Sequence, residues 1–285
     1  EIHFEQRSSF QYNDNSDIVI EIAPSLSLFT SPELNINVIL QLTVTQNGEE
    51  KDVDPNDKDI TLSSMPLTSL FSDISCRLNN HTVTTKTSLF PYIGYFYQAH
   101  LTPDDEYTLI SGQSLAYTFN DLNKTDEGYS LLDNTNKEDS GQAIIRKVLS
   151  KKKEALISGK IYLPFFLQKK AILNNVGIQL IFSQTSDKFR IMDNKDRNAK
   201  LKIKDIWISG KRMQLNDHLL VNIMQQLSHK NCIYPIQRWL IDESNVSSET
   251  THFSKNLTLV TSQVPDYVFL MCVDTEAVRG SYKKN

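Results

Sequence analysis

The sequence predicts an all-β chain with a few short helices, built from antiparallel sheets packed face to face as a sandwich or jelly roll. Roughly ten stretches carry the period-2 alternation of half-buried strands, against three modest helical ones. The order of these stretches shows no strand–helix–strand alternation, which rules against a doubly wound parallel sheet. Several strands have one apolar and one polar face, as antiparallel sheets do when only one side lies on a core.

Residues 1–16 are polar, and the QYNDNSD run reads as a loop. Ile18, Ile20 and Ile22 then alternate with Asp17, Val19 and Glu21, a first strand that stops before Pro24. Asn35–Thr45 is the clearest strand, with Ile36, Val38, Leu40, Leu42 and Val44 on one face. The charged stretch Gln46–Asp59, with its Asn-Gly step, reads as a loop.

Met65–Leu101 is the most densely organised stretch. A Pro-led turn precedes a strand at Asp73–Leu78, whose Ile74, Cys76 and Leu78 share a face. Asn79-Asn80 tolerates positive φ and predicts a hairpin returning through Thr82–Thr85. Thr87 or Ser88 is the expected N-cap of a helix carrying Leu89, Ile93, Phe96 or Tyr97, and Leu101 at helical spacing.

Pro103-Asp104-Asp105-Glu106 reads as a short helix start, with acidic residues favoured in a first turn. Gly112–Ser140 is long and polar, with a short strand read at Leu115–Phe119; loops of such length are usually functional or interaction surfaces. Lys151-Lys152-Lys153 reads as a solvated run. Strands follow at Leu156–Phe166, Val176–Gln184 and Leu201–Ser209, the last broken in phase at Lys204-Asp205 as a bulge. Asn216 or Asp217 caps a helix to 229 with Leu219, Ile223 and Leu227 on one face, read as a bridge between two β domains. Ile233–Asp242, Asn256–Thr261 and Tyr267–Asp274 read as strands again.

The chain of 285 residues has a formal charge of −4 and a pI near 5.9. That balance lacks the basic excess of a protein gripping nucleic acid along a broad face. Cys76, Cys232 and Cys272 are few, odd in number and far apart, which favours a reducing compartment and buried thiols over a disulfide framework. The longest strongly apolar run, Tyr267–Val273, is too short to span a bilayer.

No pattern for chemistry emerges. The six His never fall at HxxxH or HExxH spacing, and His218 and His229 lie three helical turns apart. There is no GxSxG elbow and no phosphate-binding GxxxxGK[ST] loop, so no catalytic, cofactor or metal residue is expected. Four glycosylation acceptors, at Asn80, Asn123, Asn245 and Asn256, are chance expectations in a chain rich in Asn, Ser and Thr.

Five segments in series carry a family likeness. Pro66-Leu67-Thr68-Ser69-Leu70-Phe71 leads into a strand ending Leu78-Asn79 and a Phe90-Pro91-Tyr92 helix start. Leu173-Asn174-Asn175-Val176 leads into Phe189-Arg190-Ile191-Met192, followed by the strand Leu201–Ser209. Tyr234-Pro235-Ile236-Gln237-Arg238, and Val273-Asp274 through Gly280-Ser281-Tyr282, complete the series. In this order they resemble the major capsid proteins of Polinton (Maverick) elements and adintoviruses, from about residue 18 onward. Gln237-Arg238 departs from the family's doubly basic step.

The resemblance implies a double jelly roll, two eight-stranded barrels in one chain, three chains forming a pseudo-hexameric capsomer of an icosahedral virion shell. It implies a first barrel at 1–211, a connecting helix at 212–230 and the start of a second barrel at 231–285, incomplete because the family continues further. On this reading Asp17–Ile22, Asn35–Val44 and Asp73–Leu78 are strands B, C and D. Leu156–Phe166, Val176–Gln184 and Leu201–Ser209 are G, H and I. Tyr92, Tyr95, Phe96 and Tyr97 are candidates for the subunit interface, with packing against the barrel the alternative for half of them.

The function expected is therefore that of a non-enzymatic shell protein without cofactors. Its expected partners are itself, as homotrimer and lattice, and a penton or minor capsid protein. Neither sequence-specific nucleic-acid binding nor a membrane span is expected, and the location would be the virion, assembled in nucleus or cytoplasm. A jelly-roll carbohydrate-binding, lectin-like module is the alternative from another class; it would want exposed aromatic platforms, whereas Trp207 and Trp239 lie within expected strands. A host-domesticated capsid copy is indistinguishable at this level.

Overall fold

A computed structural model describes residues 1–8, 16–98 and 154–247, apart from positions 47, 55, 56, 58, 64, 194 and 242. It also describes 265–278 and the short stretches 123–125, 128–130, 149, 252 and 254. Its centre is the strand β4 (Asn35–Gln46), flanked on one side by β14 (Ala199–Gln214) and on the other by β11 (Ala155–Lys160). β1 (Ile2–Arg7) closes the far edge of β14, giving the order β1-β14-β4-β11. A second sheet has the order β2-β12-β7-β8, from β2 (Ile18–Ile22), β12 (Ile178–Gln184), β7 (Phe71–Leu78) and β8 (His81–Thr82). All pairings are antiparallel.

Taken in chain order, these eight strands alternate between the sheets except for the hairpin β7–β8, where both strands share one sheet. That is the B-to-I path of a jelly roll, with B, I, D and G in one sheet and C, H, E and F in the other. The letters expected for the first three strands therefore move by one: Asp17–Ile22 is C, Asn35–Val44 is D and Asp73–Leu78 is E, while G, H and I stand. The displaced letter belongs to β1, in the polar stretch 1–16, for which no strand is expected. Only a half-buried Phe4 and Gln6 mark its inner flank, and its strand character comes from six pairings with β14.

The inner faces form one apolar cluster. Ile36, Val38, Leu40, Leu42 and Val44 of β4 meet Ile20 and Ile22 of β2, and Ile178, Leu180 and Phe182 of β12. Phe71 and Phe182 touch at 5.0 Å between ring centroids. Each such side chain removed from water contributes roughly 1.5–3 kcal/mol, which makes this cluster the main stabilising term. In β14, Leu201 and Ile203 face inward, the register shifts between Ile203 and Asp205, and Ile206 and Ile208 face inward again. The bulge expected at Lys204-Asp205 keeps both halves of a long strand on the same core.

Local chemistry explains several turns. Asn79 and Asn80 have φ of 45° and 69°, and they close β7 onto β8 with Leu78 opposite His81. The return strand is only His81–Thr82, shorter than expected. β5 (Glu49–Asp52) folds back on β4 with Gln46 opposite Glu49, inside the stretch expected to be loop, and Gly48 takes a φ of 82°. An Asn-Gly step between extended flanks is a hairpin signal that the charged composition masked. Another hairpin, β9 (Asn123–Thr125) with β10 (Gly128–Ser130), lies within the long polar stretch 112–140.

Three further short strands went unread: β3 (Leu28–Thr30) on β14, and the pair β6 (Ile60–Leu62) with β13 (Ile191–Asp193). Three residues are too few to establish a period. The expected strand Leu156–Phe166 ends at Lys160, because Pro164 opens the one-turn helix α3 (Pro164–Leu167). Pro likewise opens α1 (Pro66–Ser69) and lies in the first turn of α2 (Phe90–Phe96). The N-cap of α2 is Leu89, not Thr87 or Ser88; the Thr87 hydroxyl accepts from the Leu89 N–H at 3.1 Å one step earlier. A one-turn helix α4 (Asp187–Arg190) leads into β13.

α5 (Asp217–His229) starts as expected, with the Asn216 side chain accepting from the His218 N–H at 3.1 Å. None of its residues is fully buried; Leu220, Ile223, Met224 and Leu227 along its apolar face are half-buried. A four-residue helix α6 (Thr275–Val278) follows far downstream. The expected strands Ile233–Asp242 and Tyr267–Asp274 are irregular backbone at their described positions. Apolar alternation alone does not make a strand; its N–H and C=O groups need a neighbouring edge, and no described strand offers one here. The expected elements at 103–106, 115–119, 151–153 and 256–261 lie outside the described residues.

Candidate interface

The aromatic residues of α2 are where the sandwich meets the C-terminal segment. α2 packs on α1 and on β7, so one flank is committed to the barrel and carries Phe90, Ile93 and the cap residue Tyr97 into the core. The four interface candidates then separate. Tyr97 is buried, stacks on Tyr162 at 6.0 Å and meets the Trp239 ring edge-on at 5.2 Å. Trp239 Nε1 donates to the Tyr97 hydroxyl at 2.9 Å. Phe96 stacks on Phe269 at 4.5 Å, and Phe269 in turn stacks on Trp239 at 5.9 Å. Tyr92 meets Phe189 edge-on at 6.2 Å, and Tyr95 meets Phe96 at 5.9 Å.

A further contact, absent from the expectations, lies at α3. Phe165 meets the Tyr234 ring edge-on at 5.4 Å. The Tyr234 hydroxyl accepts from the Leu173 N–H at 3.1 Å and donates to the Ala171 carbonyl at 3.4 Å. The Lys170 ammonium donates to the Ile233 carbonyl at 2.9 Å. Burial, with the Cys232 thiol alongside, pushes the Tyr234 hydroxyl up to about 12, so it stays a neutral donor and acceptor. Burial raises the Tyr97 hydroxyl too, against the lowering effect of the Trp239 bond, and raises Tyr92 and Tyr95.

Outside these anchors the C-terminal part is apolar and open. Among the described residues, twelve of the large hydrophobic side chains that stand exposed fall at or after Leu219, including Leu240, Val268 and Leu270, the last 92% exposed. Exposed apolar surface of this density marks a face that another element covers.

The outer face of the β4 sheet differs. Asn37 is buried there, with its amide donating to Ser209 Oγ at 3.0 Å and its carbonyl accepting from the Ser158 hydroxyl. Trp207, opposite Asn37 across the strands, is half-buried beneath the Arg7 guanidinium at 5.1 Å, and Arg7 is ion-paired with Asp205. This covered indole is not an open platform for a sugar ring, and Trp239 is spent in the aromatic contact with Tyr97. Among the described residues no three His, Cys, Asp or Glu side chains gather as a metal cage, and no helix is long and apolar enough to cross a membrane.

The topology and the single core define the class: an antiparallel jelly-roll protein, followed by a helix and an apolar, partly docked segment. Among solved structures, the chain is similar to one of the Sputnik virophage determined by cryo-EM, with a TM-score of 0.52 and 11% identity over 76% of this chain and 48% of that one. The mavirus major capsid protein matches with a TM-score of 0.42 and 11% identity, over 76% and 47% of the two chains. A PBCV-1 virus capsid structure matches at 0.42 and 8%, over 77% and 43%. No family model and no curated protein matches. The chain shares its fold with the Sputnik chain and spans about half its length.

Proposed function

We propose that this chain is a major capsid protein, a non-enzymatic structural subunit of a virion shell. Residues 1–211 act as the first barrel, 212–230 as the connecting helix and 231–285 as the opening part of a second barrel. The observation that carries the reading is the B-to-I jelly-roll order, continued at once by a helix and a segment with open apolar side chains. The likeness in fold to a virophage chain, 48% of which is covered, supports it. The subunits trimerise into pseudo-hexameric capsomers, with a penton or minor capsid protein completing the shell. Of the four subunit-interface candidates, Tyr92, Tyr95 and Phe96 are half-buried, whereas Tyr97 is buried and bonded to Trp239 and is the weakest of them.

Expression of the full-length gene, followed by mass determination in solution and negative-stain electron microscopy, tests this. Trimers with a hexagonal outline are the expected result. A stable monomer that never yields such particles overturns it.

A further inference from the structure

The C-terminal segment is attached to the sandwich in an unusual way. No residue of α5, the helix leading into it, is fully buried, and its apolar stripe Leu220, Ile223, Met224 and Leu227 is only half-covered. Residues 231–241 form no strand, and among the described residues no backbone N–H of 232–241 donates to another backbone group. Within 231–241 the side chains that dock are Tyr234 on α3 and Trp239 on Tyr97, five residues apart; the Lys170 ammonium holds the Ile233 carbonyl, and Phe269 stacks on both Phe96 and Trp239 from further along the chain. Between and beside them Ile233 is 73% and Leu240 63% exposed, and Arg238 is exposed. An extended chain covers about 17 Å over five residues, so the anchors sample two separate positions on the sandwich.

Buried aromatic anchors surrounded by nearly neutral contacts are how a peptide ligand binds a preformed groove. We propose that α2 and α3 of the sandwich form an aromatic cradle that binds the Tyr-x4-Trp segment of this chain as a separable, peptide-like ligand. Tyr97, Tyr162 and Phe165 belong to the sandwich's core cluster, and Tyr234 and Trp239 pack against it from outside. The cradle's polar requirements are equally specific, a hydroxyl acceptor for an indole N–H and a Leu173 N–H for a phenol. The inference concerns one chain in solution and does not depend on the capsid reading.

The test uses the full 285-residue chain. A fluorescein-labelled peptide of residues 231–241 is titrated against wild type and against Tyr234→Ala/Trp239→Ala, and anisotropy is read. The double variant, its cradle vacated, is expected to bind the peptide about tenfold more tightly than wild type, equivalent to about 1.4 kcal/mol. Adding Tyr97→Ala is expected to abolish the gain. Equal binding to wild type and double variant, or none to the double variant, overturns the proposal.

A second readout is tryptic cleavage after Arg238. It is expected to accelerate about tenfold in the double variant while the sandwich's melting temperature holds. Tyr97→Phe, which removes only the acceptor oxygen, is expected to give a smaller acceleration in the same direction. Unchanged cleavage in both counts against the cradle.

Discussion

Gly94 of α2 lies directly against Thr68 of α1: a Cβ built on Gly94 would stand 2.6 Å from Thr68 Cγ2 and 2.9 Å from its Cβ. Thr68 is buried, and its hydroxyl donates to the Met65 carbonyl at 3.1 Å, so the side chain has no free rotamer to retreat into. The two helices approach this closely because position 94 has no side chain, and that approach sets α2 against β7.

Gly94→Ala is therefore expected to destabilise the chain by about 1–3 kcal/mol, the usual range for overpacking. Chemical denaturation measures it, and Gly94→Ala/Thr68→Ser, which removes the nearer colliding methyl but keeps the Cβ at 2.9 Å, should recover part of the loss. A neutral Gly94→Ala would mean that α1 and α2 separate without cost.

Asp193 is fully buried at the end of β13. It accepts from the backbone N–H of Lys195 at 3.0 Å and of Arg197 at 2.9 Å, and from Arg197 Nη2 at 2.9 Å. Arg197 also pairs with Asp57, joining the 193–197 turn to the stretch before β6. Removing the guanidinium leaves a buried carboxylate without its counter-charge, so Arg197→Met should cost about 3 kcal/mol in a denaturant melt. Arg197→Met/Asp193→Asn should lose less than the two single changes added together.

Asp57 gives this cluster a pH signature. Burial pushes its carboxyl up, but the hydrogen bond from Arg197, the Asp59 N–H and the Arg197 and Lys195 charges outweigh it and hold the group below the ordinary carboxylate range. A carboxyl with a depressed folded-state pKa stabilises the fold above its unfolded value, about 3.9, and loses that contribution as pH falls through the folded value. The melting temperature of Asp57→Asn should therefore lie below wild type near neutrality and converge on it in acid. A gap that stays constant down to about pH 2 would remove Asp57 from the account.

The three cysteines should divide by position. Cys76 is buried in β7, where burial pushes its thiol up to about 12, while Cys232 and Cys272 are exposed. Thiolate is the reactive form, so a disulfide dye should label Cys232 and Cys272 in the native chain and reach Cys76 only after denaturant is added. Labelling of all three at one rate in buffer would contradict the burial of β7.

Much of this architecture was legible in the residues alone. The alternation in β2, β4, β7 and β12, the Asn79-Asn80 hairpin, the β14 bulge and the Asn216 cap are all local or period-2 signals, and each was read at its place. What remained hidden depended on a partner. β1 and β3 are strands because β14 offers them hydrogen bonds, so their own short or polar sequences carried little sign of it. Ile233–Asp242 shows the converse: its alternation is real, but among the described residues no strand edge pairs with it, and its described positions stay irregular.

By itself the sequence determined the fold class, since a strand's buried face must be written in alternating apolar residues whatever it packs against. Only the tertiary structure decided which strand carries which letter, because pairing order is a property of several distant segments at once. It alone also assigned the aromatics. Tyr97 and Trp239 lie 142 residues apart, and their hydrogen bond exists only because the sandwich presents one ring to the other.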